Sequence, residues 1–267
     1  MKKQLTILGI VILLLIVGFS GCFENQRESF KELSVEQIKT NFVNAVKNVN
    51  SYKCISNNSI IKSVYNGSKI NTTETQGFSN YSVDISNNML KDEGEYTTVG
   101  TSEKYQIKIY LLDDLQYTGT GAEGNLSWEK KNYSNSHPFA EENWMLFSPL
   151  EFVTEEMKAK NVTWERLGDE ILDGTPYYVL QNISTTNNSN ATHSGYDFSE
   201  WQQRYWIDKT NYSLHKYMRT QILDDTGYYF IGKEGDRRYL INEIEVTFYD
   251  YNIPVTIELP QEALQKI

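Results

Sequence analysis

The sequence predicts a mainly β fold of the α+β class, in which two helices cover an antiparallel sheet. From Tyr52 onward, short β-prone runs separated by turn signals fill most of the chain. One amphipathic helical pattern precedes these runs, and a second, apolar helical segment interrupts them. With 267 residues and 13% aromatic residues, the chain is long enough to bury a core and too aromatic to be disordered.

Residues 1–21 have the order of an export signal. Lys2 and Lys3 precede an apolar run at residues 5–17, and small residues then lead to Cys22. The apolar run is shorter than the roughly 20 residues that a membrane-spanning helix needs. We therefore expect residues 1–21 to be a signal peptide; an uncleaved signal anchor is the alternative.

The residues Ser20-Gly21-Cys22 resemble the lipobox of exported lipoproteins, in which the cysteine is lipidated and begins the mature chain. Phe19 departs from that pattern, which has Leu or another aliphatic residue at this position. A diacyl or dialkyl glyceryl group would insert two hydrocarbon chains, which is the number that stable anchoring requires. We expect Cys22 to be lipidated, and residues 22–32 to tether the following domain to the outer face of the cell membrane.

Eleven Asn-X-Ser/Thr sequons support export independently. Chance would give roughly 4 for this content of Asn, Ser and Thr. We expect several of them to be glycosylated; turns rich in Asn, Ser and Thr that create sequons by composition are the alternative. The sequons begin at Asn57, Asn66, Asn71, Asn80, Asn125, Asn132, Asn161, Asn182, Asn187, Asn190 and Asn211.

The folded domain, residues 33–267, is expected to begin with a helix at residues 35–49. Ser34 and Gln37 have the spacing of a capping box, and apolar residues recur at helical spacing after them. Strands with short turns follow, which predicts an antiparallel meander. The predicted strands occupy residues 59–65, 69–75, 77–85, 88–99, 103–112, 116–118, 125–130, 164–172, 175–184, 204–207, 213–223, 227–231 and 238–249.

Residues 139–160 interrupt the strands with an apolar segment that enters a short helix at residues 149–158. This segment has the character of a flap or plug over the sheet. An ordinary helix packed on the core is the alternative that the pattern leaves open.

The sequence contains no recognisable catalytic, cofactor or metal site. Residues 119–124 match G-x-G-x-x-G, but β-prone residues follow them instead of the helix that would hold a pyrophosphate, so we predict a hairpin loop. Asp225-Thr226-Gly227 occurs once, whereas aspartic proteases need two carboxylates that share a proton. The three histidines lack zinc-ligand spacing, and no G-x-S-x-G motif is present. We therefore expect a protein that is not an enzyme and that has no cofactor.

Charge and cysteine content narrow the partners further. A formal net charge of −10 disfavours binding to nucleic acid. If Cys22 carries a lipid, Cys54 has no cysteine left to pair with. In the apparent strand at residues 52–61 we expect Cys54 to be a small buried apolar residue; a reactive thiol is the alternative.

Three ordered motifs in the second half of the chain resemble the LolA/LppX/RseB-like superfamily of exported lipoprotein carriers and sensors. They are a G-x-x-Y-x-V strand within residues 167–180, a W-I-D strand followed by a basic residue within residues 205–216, and a terminal Y-N-x-P-V-x-I-x-x-P strand within residues 248–260. The resemblance implies an open, strongly curved antiparallel half-barrel, whose concave face is covered by helices and encloses an apolar cavity. In carriers of this superfamily, that space receives lipid or acyl chains.

We therefore expect a membrane-anchored extracytoplasmic protein that binds a lipid or another apolar ligand between sheet and helix. Ordinary core packing is the alternative for each candidate contact, and a cavity of several hundred Å³ would favour ligand binding. A module of the RseB type that contacts another envelope protein, without a ligand cavity, is the alternative function. The candidate ligand contacts are Trp144, Phe147, Leu150 and Phe152 in the insertion, and Val179, Trp206 and Ile207 in strands.

Overall fold

The computed structural model describes residues 32–66, 69–113, 115–132, 148–160, 162–187, 198–225 and 237–266. The predicted signal peptide, Cys22 and most of the tether therefore lie outside the described residues. The helices are α1 (Val35–Val46), α2 (Pro149–Lys158) and α3 (Gln261–Lys266). The strands are β1 (Ser51–Asn66), β2 (Lys69–Asp84), β3 (Met89–Thr98), β4 (Lys104–Leu112), β5 (Leu115–Ala122), β6 (Asn125–Asn132), β7 (Trp164–Leu172), β8 (Thr175–Asn187), β9 (Phe198–Asp208), β10 (Leu214–Asp225) and β11 (Arg237–Tyr249).

All of these strands belong to one antiparallel sheet, in the order β6-β5-β4-β3-β2-β1-β11-β10-β9-β8-β7. Consecutive strands pair within β1–β6 and within β7–β11, and β1 pairs with β11 to join the two series. The outermost strands, β6 and β7, do not pair with each other. The predicted mainly β meander and the open half-barrel are thereby confirmed.

Most predicted elements are found, with shifts at their ends. The first helix ends at Val46, three residues earlier than predicted, and a turn closed by a hydrogen bond from Val49 N to Val46 O follows it. The two strands predicted on either side of Gln76 form one continuous strand, β2. Residues 119–124 form the end of β5 and its turn into β6, as predicted for a hairpin. The predicted strand at 227–231 lies outside the described residues.

The C-terminal motif, residues 251–260, follows the last strand and forms no strand itself, which corrects the prediction of a terminal strand. Strand β11 ends at Tyr249, and residues 250–260 continue without strand pairing. Asn252 anchors this segment, because its backbone N–H donates to Ser51 O and its Oδ1 accepts a hydrogen bond from Asn50 N. The segment continues to the short helix α3.

Both faces of the sheet bury apolar side chains. On the outer face, Tyr110 and Trp128 lie with their ring centroids 6.1 Å apart and pack against Ile257 of the C-terminal segment and Ala263 of α3. On the inner face, α1 and α2 bury Ile38, Phe42, Leu150 and Val153 completely. The alternation of side chains along each strand thus supplies two cores instead of one core and one solvated face.

Gly119 lies against the Trp128 ring in the outer core and leaves no room for a larger side chain. A Cβ atom there would lie 2.8 Å from the Trp128 ring. We expect Gly119→Ala to lower the free energy of unfolding by about 1–3 kcal/mol, because Trp128 must move out of its packed position. Chemical denaturation would measure this loss. The control Ser127→Ala, at an exposed position of β6, should stay within about 0.5 kcal/mol of the wild type; equal stability of both variants would contradict the expectation.

Candidate ligand-binding cavity

A cavity of about 500 Å³ lies between the inner face of the sheet and helix α2. Its wall combines side chains from seven strands with two residues of the helix, so the sheet must curve around it. The lining residues are Ser56, Asn58, Gly77, Ser79, Tyr81, Asp92, Tyr96, Ile107, Ile109, Gln116, Tyr217, Arg219, Ile244 and Val246 from strands, and Pro149 and Phe152 from α2.

The strand register explains where the cavity begins. Tyr52, Val83, Leu90 and Leu111 form one row of directly opposed residues across β1 to β4, and all four are almost completely buried. This apolar row closes the base of the inner face. The space above it is open because several inner-face residues of β1 to β3 in the next rows are small or polar.

The second and third rows show this change. Tyr81, Asp92 and Ile109 are opposed in the second row, and Ser56 and Ser79 are opposed in the third. Serine side chains are too short to reach α2 across the gap. The cavity therefore begins where Tyr52 of β1 is followed on the inner face by Ser56 and Asn58, and where Val83 of β2 gives way to Ser79 and Gly77.

Hydrogen bonds fix the N-terminal end of α2 above the cavity. Tyr52 Oη lies 2.9 Å from Ser148 Oγ and accepts a hydrogen bond from Leu150 N at 3.4 Å. Ser148, Tyr52 and Leu150 are all buried, so these polar groups would be costly to leave without partners. Burial also raises the pKa of Tyr52 well above its ordinary value, which keeps its hydroxyl neutral.

The C-terminal half of α2 is fixed by Glu156. Its carboxylate accepts hydrogen bonds from Tyr205 Oη at 2.7 Å and from Gln203 Nε2. Burial raises the pKa of Glu156, although both hydrogen bonds oppose that shift. Between the two anchors, Phe152 packs edge-to-face on Tyr217, with ring centroids 5.9 Å apart. The helix is thus held at both ends and at one aromatic contact.

Several polar atoms in the cavity wall have no hydrogen-bond partner among the described residues. They are Asn58 Oδ1, Asp92 Oδ1, Gln116 Oε1 and Arg219 Nε. The first three are acceptors and come from β1, β3 and β5. Buried polar atoms are normally paired with protein, water or ligand atoms, so their convergence on one cavity indicates a place for a partner molecule.

Asp92 is the most strongly perturbed of these groups. The residue is 6% exposed, and burial raises the pKa of its carboxyl to about 7, although hydrogen bonds with Ser79 and Tyr81 oppose the shift. Neither Lys nor Arg forms an ion pair with Asp92 in the described part of the chain. At neutral pH this carboxyl is therefore close to its midpoint of ionisation.

Tyr96 separates the cavity from a more open trough of about 840 Å³ at the far end of the sheet. Its ring lies over two glycines: a Cβ atom would be 2.5 Å from the ring at Gly77 and 3.0 Å from it at Gly94. Only glycine leaves room for the ring in this position. Polar side chains such as Thr98, Glu103 and Lys104 line the trough, whereas the cavity wall combines apolar side chains with polar ones.

The candidate contacts predicted from the sequence divide between the two faces. Phe152 lines the cavity. Leu150 lies on the same helix and is fully buried, and Ile207 is fully buried on the same face of β9 as Tyr205. Trp144 and Phe147 lie outside the described residues.

Val179 and Trp206 oppose each other on the outer face, away from the cavity. They pack with Tyr177 and Leu172, and the Trp206 indole N–H donates to Glu170 at 2.8 Å. The sequence analysis did not identify Asn58, Asp92, Tyr96 and Arg219 as cavity residues. The glycines beneath Tyr96 were the available signal, because glycine inside a strand often marks a close approach of another group.

The sequons also differ in their surroundings. Asn57, Asn125 and Asn211 are exposed, whereas Asn182 is 3% exposed and its Nδ2 donates to Tyr205 Oη at 3.3 Å. Asn161 and Asn190 lie outside the described residues. Cys54 is fully buried, and burial raises the pKa of its thiol well above the ordinary value.

The described ranges contain neither a membrane-spanning helix nor a cluster of metal-ligating side chains. None of the helices there combines the length and the apolar composition needed to cross a bilayer. The same ranges contain no group of three or more His, Cys, Asp or Glu side chains placed to hold a metal ion.

No family model and no curated protein matches the chain, but solved structures do. The lipoprotein LppX of Mycobacterium tuberculosis is 14% identical, with a TM-score of 0.42, over 84% of this chain and 98% of its own. LprF of Mycobacterium bovis is 12% identical, with a TM-score of 0.41, over 85% and 96%. A LolA superfamily protein of Nitrosomonas europaea is 11% identical, with a TM-score of 0.21, over 86% and 97%. Two of these names, LppX and the LolA superfamily, are those of the superfamily that the three sequence motifs resemble. At TM-scores below 0.5, they decide neither the ligand nor the site.

The raised pKa of Asp92 predicts how stability depends on pH. The folded state retains a proton up to about pH 7, whereas the unfolded state releases it near the ordinary pKa of 3.8. The free energy of unfolding should therefore fall as the pH rises from about 4 to 7. We expect Asp92→Asn to be more stable than the wild type by about 3 kcal/mol at pH 8, and closer to it at pH 4.

Urea denaturation across this pH range would measure the difference between the two proteins. The control Asp173→Asn, in the exposed turn between β7 and β8, should follow the wild-type curve, since Asn tolerates the positive φ of 50° found there. Parallel curves for Asp92→Asn and the wild type would contradict the expectation.

Proposed function

We propose that this protein is a membrane-anchored, extracytoplasmic binding protein that holds a lipid or another apolar ligand beneath α2. The cavity of about 500 Å³ is the observation that carries the proposal. Ligand sites typically have volumes of roughly 300–1,000 Å³ and are mainly apolar with a few polar groups. Ile107, Ile109, Phe152, Ile244 and Val246 supply the apolar part of this wall. The proposed role is binding without catalysis.

The proposed location rests on the sequence. Residues 1–21 have the order of a signal peptide, and Cys22 follows them at a lipobox-like position. A lipidated Cys22 would place the domain within about ten residues of the outer face of the cell membrane. From there the cavity could exchange an apolar ligand with the bilayer or with a second envelope protein.

The alternative function, an envelope interaction module without a ligand, finds less support. Phe78 and Met218 are exposed on the outer face, but they are not neighbours. Within one cross-strand row, Glu245 and Asn57 lie between them. Apolar side chains scattered singly in this way are normal on a protein surface.

Filling the cavity provides a direct test of the proposed function. Ser56 lines the cavity, whereas the next residue, Asn57, is exposed on the outer face. We expect native mass spectrometry of gently purified protein to show a bound apolar molecule in the wild type and in Asn57→Phe. Ser56→Phe should lose that molecule, because its ring would occupy the cavity. A wild type that is always empty, or a ligand retained by a folded Ser56→Phe variant, would contradict the proposal.

The proposed extracytoplasmic location also predicts a pattern of glycosylation. A glycan bonds to the Nδ2 atom of Asn, so exposed sequons should be modified and the buried Asn182 should not. Glycopeptide mass spectrometry of protein from its native host would report each site. We expect glycans at one or more of Asn57, Asn125 and Asn211. Occupancy at Asn182, or a wholly unmodified protein, would contradict the prediction.

A further inference from the structure

We infer that the cavity selects a ligand that is apolar but carries a hydrogen-bond-donating group, a hydroxyl or an ammonium, which binds Asp92 Oδ1. This inference rests on the proposed function and specifies the ligand further. Its basis is the set of unpaired atoms in the cavity wall and the strand register that brings them together. A purely hydrocarbon ligand would leave these atoms without partners.

The type of the unpaired atoms decides the type of ligand group. Three of the four unpaired atoms in the described wall, Asn58 Oδ1, Asp92 Oδ1 and Gln116 Oε1, are acceptors, and Arg219 Nε is a donor. Acceptors need donors, and the donors that Asp92 already receives, from Ser79 and Tyr81, leave Oδ1 unpaired. A ligand with a donor group would therefore complete the hydrogen bonding of Asp92.

The position of Asp92 places this group in the deep part of the cavity. Asp92 lies one row above the apolar base, and it is opposed by Tyr81 on β2 and Ile109 on β4. The apolar side chains of Ile107, Phe152 and Ile244 line the same cavity. A donor group at Asp92 would thus be continuous with an apolar body that contacts these side chains beneath α2.

The charge of Asp92 favours the same class of ligand. Arg219 also lines the cavity, but its positive charge acts on Glu156 of α2, whose pKa it lowers. Asp92 has no cationic partner in the described part of the chain, and an unpaired buried carboxylate is costly. An ammonium would neutralise it, and a hydroxyl would hydrogen-bond to it without adding charge. A carboxylate head would meet a like charge at short range and should be rejected. Ordered water is the remaining occupant that could satisfy Asp92, and the experiment must separate it from a ligand.

Matched probes of one chain length test the inference in the wild-type protein. Octylamine, octanol and methyl octyl ether present an ammonium, a hydroxyl and a group without a donor, respectively. We expect calorimetric titration at about pH 8, where Asp92 is ionised, to show at least about tenfold tighter binding of the amine and the alcohol than of the ether. Octanoate should bind more weakly than all three.

The variant Asp92→Asn then tests whether this carboxylate is responsible. Its amide has nearly the same shape, and we expect the preference for the amine over the ether to fall by about tenfold or more. Asp173→Asn should keep the wild-type preference. Equal binding of ether and alcohol by the wild type would overturn the inference, as would an unchanged preference in Asp92→Asn. A crystal structure determined in the presence of all four probes, with only water in the cavity, would overturn it too.

These outcomes are distinguishable from failure of the proposed function itself. If a co-purifying apolar molecule without any donor group fills the cavity, the binding function stands and the inference fails. If neither a native molecule nor any of the probes enters the cavity, both fail.

Discussion

The anchoring of helix α2 over the inner face of the sheet is the constraint on which the rest of the structure depends. A curved sheet exposes a broad apolar inner surface, and such a surface must be covered. Tyr52 and Glu156 hold the two ends of α2 by buried hydrogen bonds, and these fix its position more strictly than apolar contacts alone would. Because the helix cannot sink toward the sheet, small residues such as Ser56 and Ser79 leave space beneath it. The cavity thus forms because helix α2 is held in a fixed position above small inner-face residues of the sheet.

The open sheet is stabilised by a second core and by protected edges. The C-terminal segment covers the outer face around Tyr110 and Trp128, so Leu126 and Trp128 are buried although the other residues of β6 are exposed. Strand β6 carries the charged residues Glu129, Lys130 and Lys131, and β7 has a register shift between Arg166 and Gly168. Charges and bulges of this kind oppose pairing with another chain. The half-barrel can therefore stay open without inviting edge-to-edge association.

The sequence predicted the elements well and the site poorly, for a physical reason. Helical periodicity and turn residues are local, so the helix beginning at Val35 and the helix at Pro149–Lys158 could be recognised from the chain alone. Alternation along a strand shows that two faces exist, but it does not show which face is the inner one. Here both faces bury apolar residues, so Trp206 and Ile207 were equally plausible cavity contacts although they point in opposite directions. The burial of Asp92 was beyond sequence reasoning, because it depends on Tyr81 and Ile109, which only the strand register brings alongside it.

The polar residues that line the cavity, Asp92 above all, lower the stability of the empty protein and are available to bind a ligand. A protein that needed only stability would fill the space beneath α2 with Leu or Ile and would avoid a buried carboxylate without a counter-charge. Asp92 instead lowers stability near neutral pH, where part of its population must ionise inside the fold. A bound donor group would recover much of that loss, so the empty protein is less stable than the occupied one. Ligand binding and folding stability are then linked through one carboxylate, and the stability gained on binding measures how well a ligand satisfies Asp92.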